Sequence, residues 1–154
     1  MLRANYAPTR QAIIYLVDHD KHSLASLSSL LTPLNATIKC FTSAESFLEQ
    51  KICKNAACLL LEAHLQEVSE SGIELLENMV RQSQLIPTII LASSSDADSE
   101  IPTAVRAIKA SALDFIEKPY VEHLAFMKVK TILQQYFNNT TTLLHQSFSS
   151  SSEL

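Results

Sequence analysis

The sequence predicts an α/β fold, a single doubly wound parallel sheet of five strands in (βα)5 order. Three observations predict it. Short apolar runs rich in β-branched residues recur along the chain. The segments between them repeat apolar residues at helical spacing. The strand runs are apolar on both faces, as parallel strands are when helices cover both sides of the sheet.

Residues 12–17 form the first β-branched run and predict a buried strand. Residues 21–31 carry Leu24, Leu27, Leu30 and Leu31 at helical spacing. Residues 36–41 predict a second strand. Ser43 is positioned to cap the helix that contains Ser46, Phe47 and Leu48. Residues 56–61 predict a third strand, apolar throughout. Residues 71–82 place Ile73, Leu76, Met79 and Val80 on one helical face. Residues 87–92 predict the fourth strand. Residues 101–110 predict a small-residue helix that buries Val105 and Ile108. Residues 113–116 predict the fifth strand. Residues 122–137 predict the last helix, with Ala125, Val129, Ile132, Leu133 and Tyr136 inward.

The domain organisation follows: an N-terminal extension at 1–10, one domain at 11–137, and a Ser/Thr-rich C-terminal tail at 138–154. The tail ends in a serine run expected to be a flexible tail or linker stub. A chain of 154 residues suits one domain. With 47% hydrophobic and 18% charged residues it has a globular balance. No apolar run approaches the ~18 residues of a membrane span, and residues 1–10 lack a signal-peptide core. A cytoplasmic protein without membrane contact is expected. The net charge is −4, with no cluster of basic residues, so no direct contact with nucleic acid is expected. Cys40, Cys53 and Cys58 form no CxxC pair and are expected to be buried free thiols. The single glycine, Gly72, excludes glycine-rich dinucleotide and phosphate loops in their usual form.

In doubly wound sheets the site lies at the carboxyl ends of the strands. Asp18, His19 and Asp20 follow the first strand, Glu62 the third, Ser93 to Ser95 the fourth, and Lys118 with Pro119 the fifth. Such a cluster is either a divalent-metal site, because hard cations take carboxylate oxygens, or a solvated polar rim. Spacing alone leaves both open.

The segment Ala104-Val-Arg-Ala-Ile-Lys-Ala-Ser-Ala-Leu-Asp-Phe-Ile-Glu-Lys-Pro-Tyr120 resembles the fourth helix, fifth strand and Lys-Pro motif of response-regulator receiver domains, especially the FixJ-type branch. Ser43-Ala-Glu-Ser-Phe-Leu48 and Ser71-Gly-Ile-Glu-Leu-Leu76 are further matches, and the resemblance covers roughly residues 11 to 137. It implies a flavodoxin-like receiver fold and a mechanism. In the family an acidic pair after the first strand holds Mg²⁺, and an aspartate after the third strand takes a phosphoryl group from a histidine kinase. A Thr or Ser ending the fourth strand binds the phosphoryl oxygens, and the lysine after the fifth strand neutralises charge. An aromatic residue on the fifth strand then turns inward. The resemblance also implies a cis Lys118–Pro119 bond.

The chain departs from that set at three positions. The acidic pair aligns with Asp18 and His19, and a neutral imidazole is a poor Mg²⁺ ligand. Asp20 could substitute only by reaching from one residue further along. The acceptor position aligns with Glu62, whose carboxylate sits ~1.5 Å further out than an aspartate's, although in-line transfer needs tight positioning. The switch hydroxyl aligns with Ala92, which has none, and Ser93 should point elsewhere because side chains alternate along a strand. The loop before Gly72, where Gln66 replaces a usual proline, and the segment 93–101 are longer than in the family. Asp18, Lys118, Pro119 and the aromatic position, Phe115, are retained.

The resulting expectation is a degenerate pseudo-receiver, a non-enzymatic signalling module that works without phosphorylation and without a cofactor, with weak or absent Mg²⁺ binding. The Glu62 carboxylate is expected to extend toward Lys118, either imitating the phosphorylated aspartate or forming a tolerated ion pair in a relic site. One alternative is a receiver that still accepts a phosphoryl group through an altered metal site with Asp20 as ligand. Another is a transition-metal site of His19, His22 and His64 with Asp18. A third is the receiver part of a DNA-binding regulator, although residues 138–154 hold no helix-turn-helix. The expected partner is another protein or a second copy, a homodimer, on the face of the fourth helix, fifth strand and fifth helix. Its exposed members are expected to be Arg106, Lys109, Asp114, Glu117 and Tyr120.

Overall fold

The computed structural model describes residues 11–65, 71–93 and 103–152. The strands are β1 (Ile13–Val17), β2 (Thr37–Phe41), β3 (Ala56–Glu62), β4 (Thr88–Ser93) and β5 (Asp114–Lys118). The helices are α1 (Lys21–Leu31), α2 (Ala44–Leu48), α3 (Gly72–Arg81), α4 (Thr103–Lys109) and α5 (Glu122–Ser152). The strands form one sheet, all parallel, in the order β2-β1-β3-β4-β5. The parallel sheet is the one the alternating pattern predicts, and its strand order is the flavodoxin-like one that the resemblance implies.

Strand side chains alternate between two cores. Tyr15, Val17, Leu59, Leu61 and Ile90 pack with residues of α2, α3 and α4. Ile14, Leu16, Leu60, Ile89 and Leu91 pack with α1 and α5. Both faces are covered, so the central strands have no polar alternation to show. Ser43 caps α2 by accepting the Ser46 N–H at 3.0 Å, as its position predicts, and Ser71 does the same for α3 through the Glu74 N–H at 3.2 Å.

Several expectations need correction. Val105 and Ile108 are 43% and 52% exposed, so α4 does not bury them. It buries Ala107 and its successor Ala110 instead, because small residues let a short helix sit close to the sheet. Cys40 is exposed and within 3.3 Å of the Ser28 hydroxyl, Cys53 is half-buried, and only Cys58 is fully buried. All three are free thiols, and burial pushes the Cys58 thiol up to about 12. Helix α5 continues to Ser152, through the stretch where the sequence reading places a flexible tail. From Val121 onward the chain has no glycine or proline to stop it. Residues 66–70 of the loop before Gly72, residues 94–101 of the segment 93–101 and the extension at 1–10 lie outside the described residues.

Candidate functional site

The chain order reverses between β1 and β3, so the crevice at a doubly wound sheet's switch point opens at the carboxyl ends of those two strands. Asp18 immediately follows β1, and Glu62 is the last residue of β3. They are 3% and 4% exposed, the only buried carboxylates among the described residues. Two buried carboxylates at one edge require a countercharge, and Lys118 at the end of β5 supplies it. Its Nζ donates to Asp18 Oδ2 at 2.7 Å and to Glu62 Oε2 at 2.5 Å. Burial pulls the Lys118 ammonium down, but the hydrogen bonds it donates to Asp18 and Glu62 and the charge of those carboxylates outweigh it and leave the group above its ordinary value. Burial raises the Glu62 carboxyl; the Lys118 ammonium and the His64 backbone N–H pull it back only in part.

The rest of the acidic edge is already committed. Asp18 Oδ1 accepts the Asp20 N–H at 2.9 Å and lies 3.7 Å from His19 Nδ1. Asp20 is the N-cap of α1: its Oδ1 accepts the His22 N–H at 2.9 Å, and the Ser23 hydroxyl reaches Oδ2. The His22 N–H holds the Asp20 carboxyl below its ordinary value. Mg²⁺ demands near-octahedral oxygen donors. Here Asp18 and Glu62 carry the lysine, Asp20 carries the helix start, and the position beside Asp18 is an imidazole. His22 and His64 are exposed, and no three metal-ligating side chains come together among the described residues.

Ala92 is 1% exposed near the end of β4 and offers only a methyl group. Ser93 stands across from Lys118 in the β4–β5 register. Phe115 is half-buried against the core on the α2–α3–α4 side. The Lys118–Pro119 peptide bond is cis, as the resemblance implies. Gly72 packs directly against the backbone of Glu62 and Ala63. Its N–H donates to the Ala63 carbonyl at 2.9 Å, and a Cβ there would lie 1.9 Å from the Glu62 carbonyl oxygen.

The interface candidates are spread over α4, β5 and the turn after it. Lys109 and Glu117 are exposed as expected. Arg106, Asp114 and Tyr120 are only half-buried rather than fully exposed. Asp114 is paired with Lys128 of α5 at 2.7 Å, and Tyr120 packs against the α1–α5 core. The sequence reading missed the apolar members of this face: Val105 and Ile108 on α4, and Leu124 and Met127 on α5. The i, i+3 spacing within each pair was the available signal.

The chain belongs to the response regulator receiver domain family, whose model matches residues 14–130. It is 34% identical over 125 residues to the response regulator protein TmoT of Ectopseudomonas mendocina, a match covering 81% of this chain and 54% of that protein. It is 28% identical over 127 residues to the transcriptional regulatory protein FixJ of Bradyrhizobium diazoefficiens, covering 82% and 59%. The chain spans about half the length of these curated relatives. A solved response regulator receiver protein from Pseudoalteromonas atlantica is 51% identical with a TM-score of 0.70, covering 83% of this chain and 98% of that one. The response regulator StyR superposes with a TM-score of 0.73 at 27% identity, covering 92% and 68%. The protein is therefore a receiver domain of two-component signalling. Among the described residues no helix is long and apolar enough to cross a membrane.

Proposed function

We propose that this chain is a FixJ-type pseudo-receiver, a cytoplasmic protein-interaction module that signals without accepting a phosphoryl group. The observation that carries this reading is the position of Lys118, held between Asp18 and Glu62. In this reading Glu62 takes the lysine that a phosphorylated acceptor would otherwise engage, and Ala92 leaves no hydroxyl to respond to a phosphoryl group. Incubation with acetyl phosphate and excess Mg²⁺ should leave the intact mass unchanged. A stoichiometric gain of one phosphoryl group that Glu62→Ala abolishes would overturn the reading.

The same geometry predicts negligible Mg²⁺ affinity. Thermal unfolding of the wild type should be insensitive to Mg²⁺. The double variant His19→Asp, Glu62→Asp restores oxygen donors and should gain about 2.7 kcal/mol at a Mg²⁺ concentration a hundredfold above its dissociation constant. An equal response in wild type and variant contradicts this account of the site.

The working surface in this reading is the α4–β5–α5 face, used by a second copy of the chain. Its apolar centre is Val105, Ile108, Leu124 and Met127, and its rim carries Lys109, Glu117 and the Asp114–Lys128 pair. Sedimentation at tens of micromolar should show a dimer that Ile108→Glu with Leu124→Glu converts to monomer. A folded variant that keeps the wild-type oligomeric state places the interface elsewhere.

A further inference from the structure

The edge of the sheet opposite Lys118 carries a surface that the signalling site does not use. Two adjoining cavities of about 470 and 250 Å³ share Gln84, Leu85 and Ile86 and form a groove beneath the amino ends of β3 and β4. Leu85 and Leu113 stand on it at 75% and 57% exposure, with Val80 and Pro87 half-buried between them. Water gains nothing from two such large side chains at one place, and side chains of this kind clustered in a concave surface mark an interaction site.

The groove is preformed. Helix α3 ends with the Ser83 N–H donating to the Val80 carbonyl and the Gln84 N–H to the Met79 carbonyl. Ser83 has a φ of 58°, and Ser111, which lines the groove at the end of α4, has a φ of 82°. Both hold the left-handed conformation usually left to glycine. Two non-glycine residues kept in that conformation fix where Leu85 and Leu113 emerge.

Charge selects the occupant. Among the residues lining the two cavities, the charged ones are Lys51 and Lys54, and neither joins an ion pair among the described residues. No carboxylate lines the groove, although the chain as a whole carries −4. Residues 1–10 contain two arginines and no acid, so charge opposes them as the occupant. We propose that this groove docks an acidic segment of a partner protein, its large apolar side chains against Leu85 and Leu113 and its carboxylates on Lys51 and Lys54. This surface is separate from the α4–β5–α5 face and goes beyond the pseudo-receiver reading.

The test is selection from a random peptide library displayed on phage, panned on the full chain and counter-panned on the Leu85→Asp, Leu113→Asp double variant. Circular dichroism establishes that each variant is folded. The expected winners combine net negative charge with two or more large apolar residues. A synthesised winner should bind at least tenfold more weakly to Lys51→Glu, Lys54→Glu, and should shift the amide resonances of Ile52, Leu85 and Leu113 in the wild type. Neutral or basic winners, winners that bind the Leu85→Asp, Leu113→Asp variant equally, or resonance shifts confined to Ile108 and Leu124 would overturn the proposal. So would loss of self-association in the lysine variant, which would make a second copy the occupant.

Discussion

Lys118→Met is expected to cost about 3–5 kcal/mol of folding stability near neutral pH, because removing one partner of a buried ion pair strands the others. Asp18 and Glu62, both buried, would be left without their half-buried countercharge, and Coulomb repulsion adds to the cost of burying each. The loss should depend on pH with a definite sign. Burial already holds the Glu62 carboxyl above its ordinary 4.5, and without the ammonium it rises further. A raised carboxyl pKa means that the folded state binds the proton more tightly than the unfolded state. Its contribution is therefore most favourable below 4.5 and is lost as pH rises through the folded value. The deficit of Lys118→Met relative to wild type should be largest near pH 8 and should shrink on approach to pH 5. Adding Glu62→Gln removes one of the two stranded charges and should recover part of the loss at pH 8. In the wild type Lys118 itself has a raised pKa, so its contribution holds below 10.5 and fades only as pH climbs through the higher folded value. Urea unfolding of wild type, single variant and double variant at these pH values checks all of this. A deficit independent of pH would mean that Lys118 acts by packing rather than by charge.

Gly72→Ala should be comparably damaging, although the substitution is usually favourable. Gly72 does not have a positive φ, so alanine meets no backbone penalty there. Gly→Ala at a compatible position stabilises by about 0.4–1 kcal/mol through the unfolded chain. Against that gain, the new Cβ would lie 1.9 Å from the Glu62 carbonyl oxygen and 2.9 Å from its carbon, both backbone atoms that cannot rotate away. Ordinary overpacking costs about 1–3 kcal/mol, and a clash this deep with main chain belongs at or above the upper end. The net expectation is a loss of about 2 kcal/mol or more, which lowers Tm by roughly 5 °C or more in a domain of this size. The displacement should also reach the site, because moving the start of α3 pushes on the residue whose side chain holds Lys118. Thermal melts, with the Lys118 Nζ resonance as a second readout, measure both effects. An alanine variant as stable as wild type would mean that α3 can shift without cost.

The same contrast separates what was legible in the residues from what was not. The five strands are evident because β-branched runs such as residues 13–17 and 56–61 are buried on both faces, and that burial leaves a continuous apolar signature. The helix starts at Ser43 and Ser71 rest on local chemistry, a side-chain oxygen accepting a nearby N–H. The edge of the sheet that carries Asp18, Glu62 and Lys118 follows from parallel topology, which puts all strand ends on one side. That position 92, at the end of the fourth strand, carries a methyl group and no hydroxyl is likewise a matter of residue identity.

Most of the contacts that decide how those residues behave were not legible. The reach of Glu62 toward Lys118 follows from their places at the strand ends, but the sharing of one ammonium between Glu62 and Asp18, 56 and 100 residues away, depends on how three strand ends converge. Asp20 spends its carboxylate on the start of α1, which competes with any role as a cation ligand. On α4 the apolar residues admit two helical phases. Only the closeness of the sheet chose the one that buries Ala107 and turns Val105 and Ile108 outward. Tyr120 and Asp114 read as exposed rim residues until α5 was in place to pack one and pair the other. The groove under Leu85 and Leu113 joins residues from three separate connections. The sequence by itself determined the fold, the edge that holds the site and the groups present there. Tertiary structure decided which groups are neutralised, which apolar faces remain open and where they meet, because these depend on distances between residues remote in the chain.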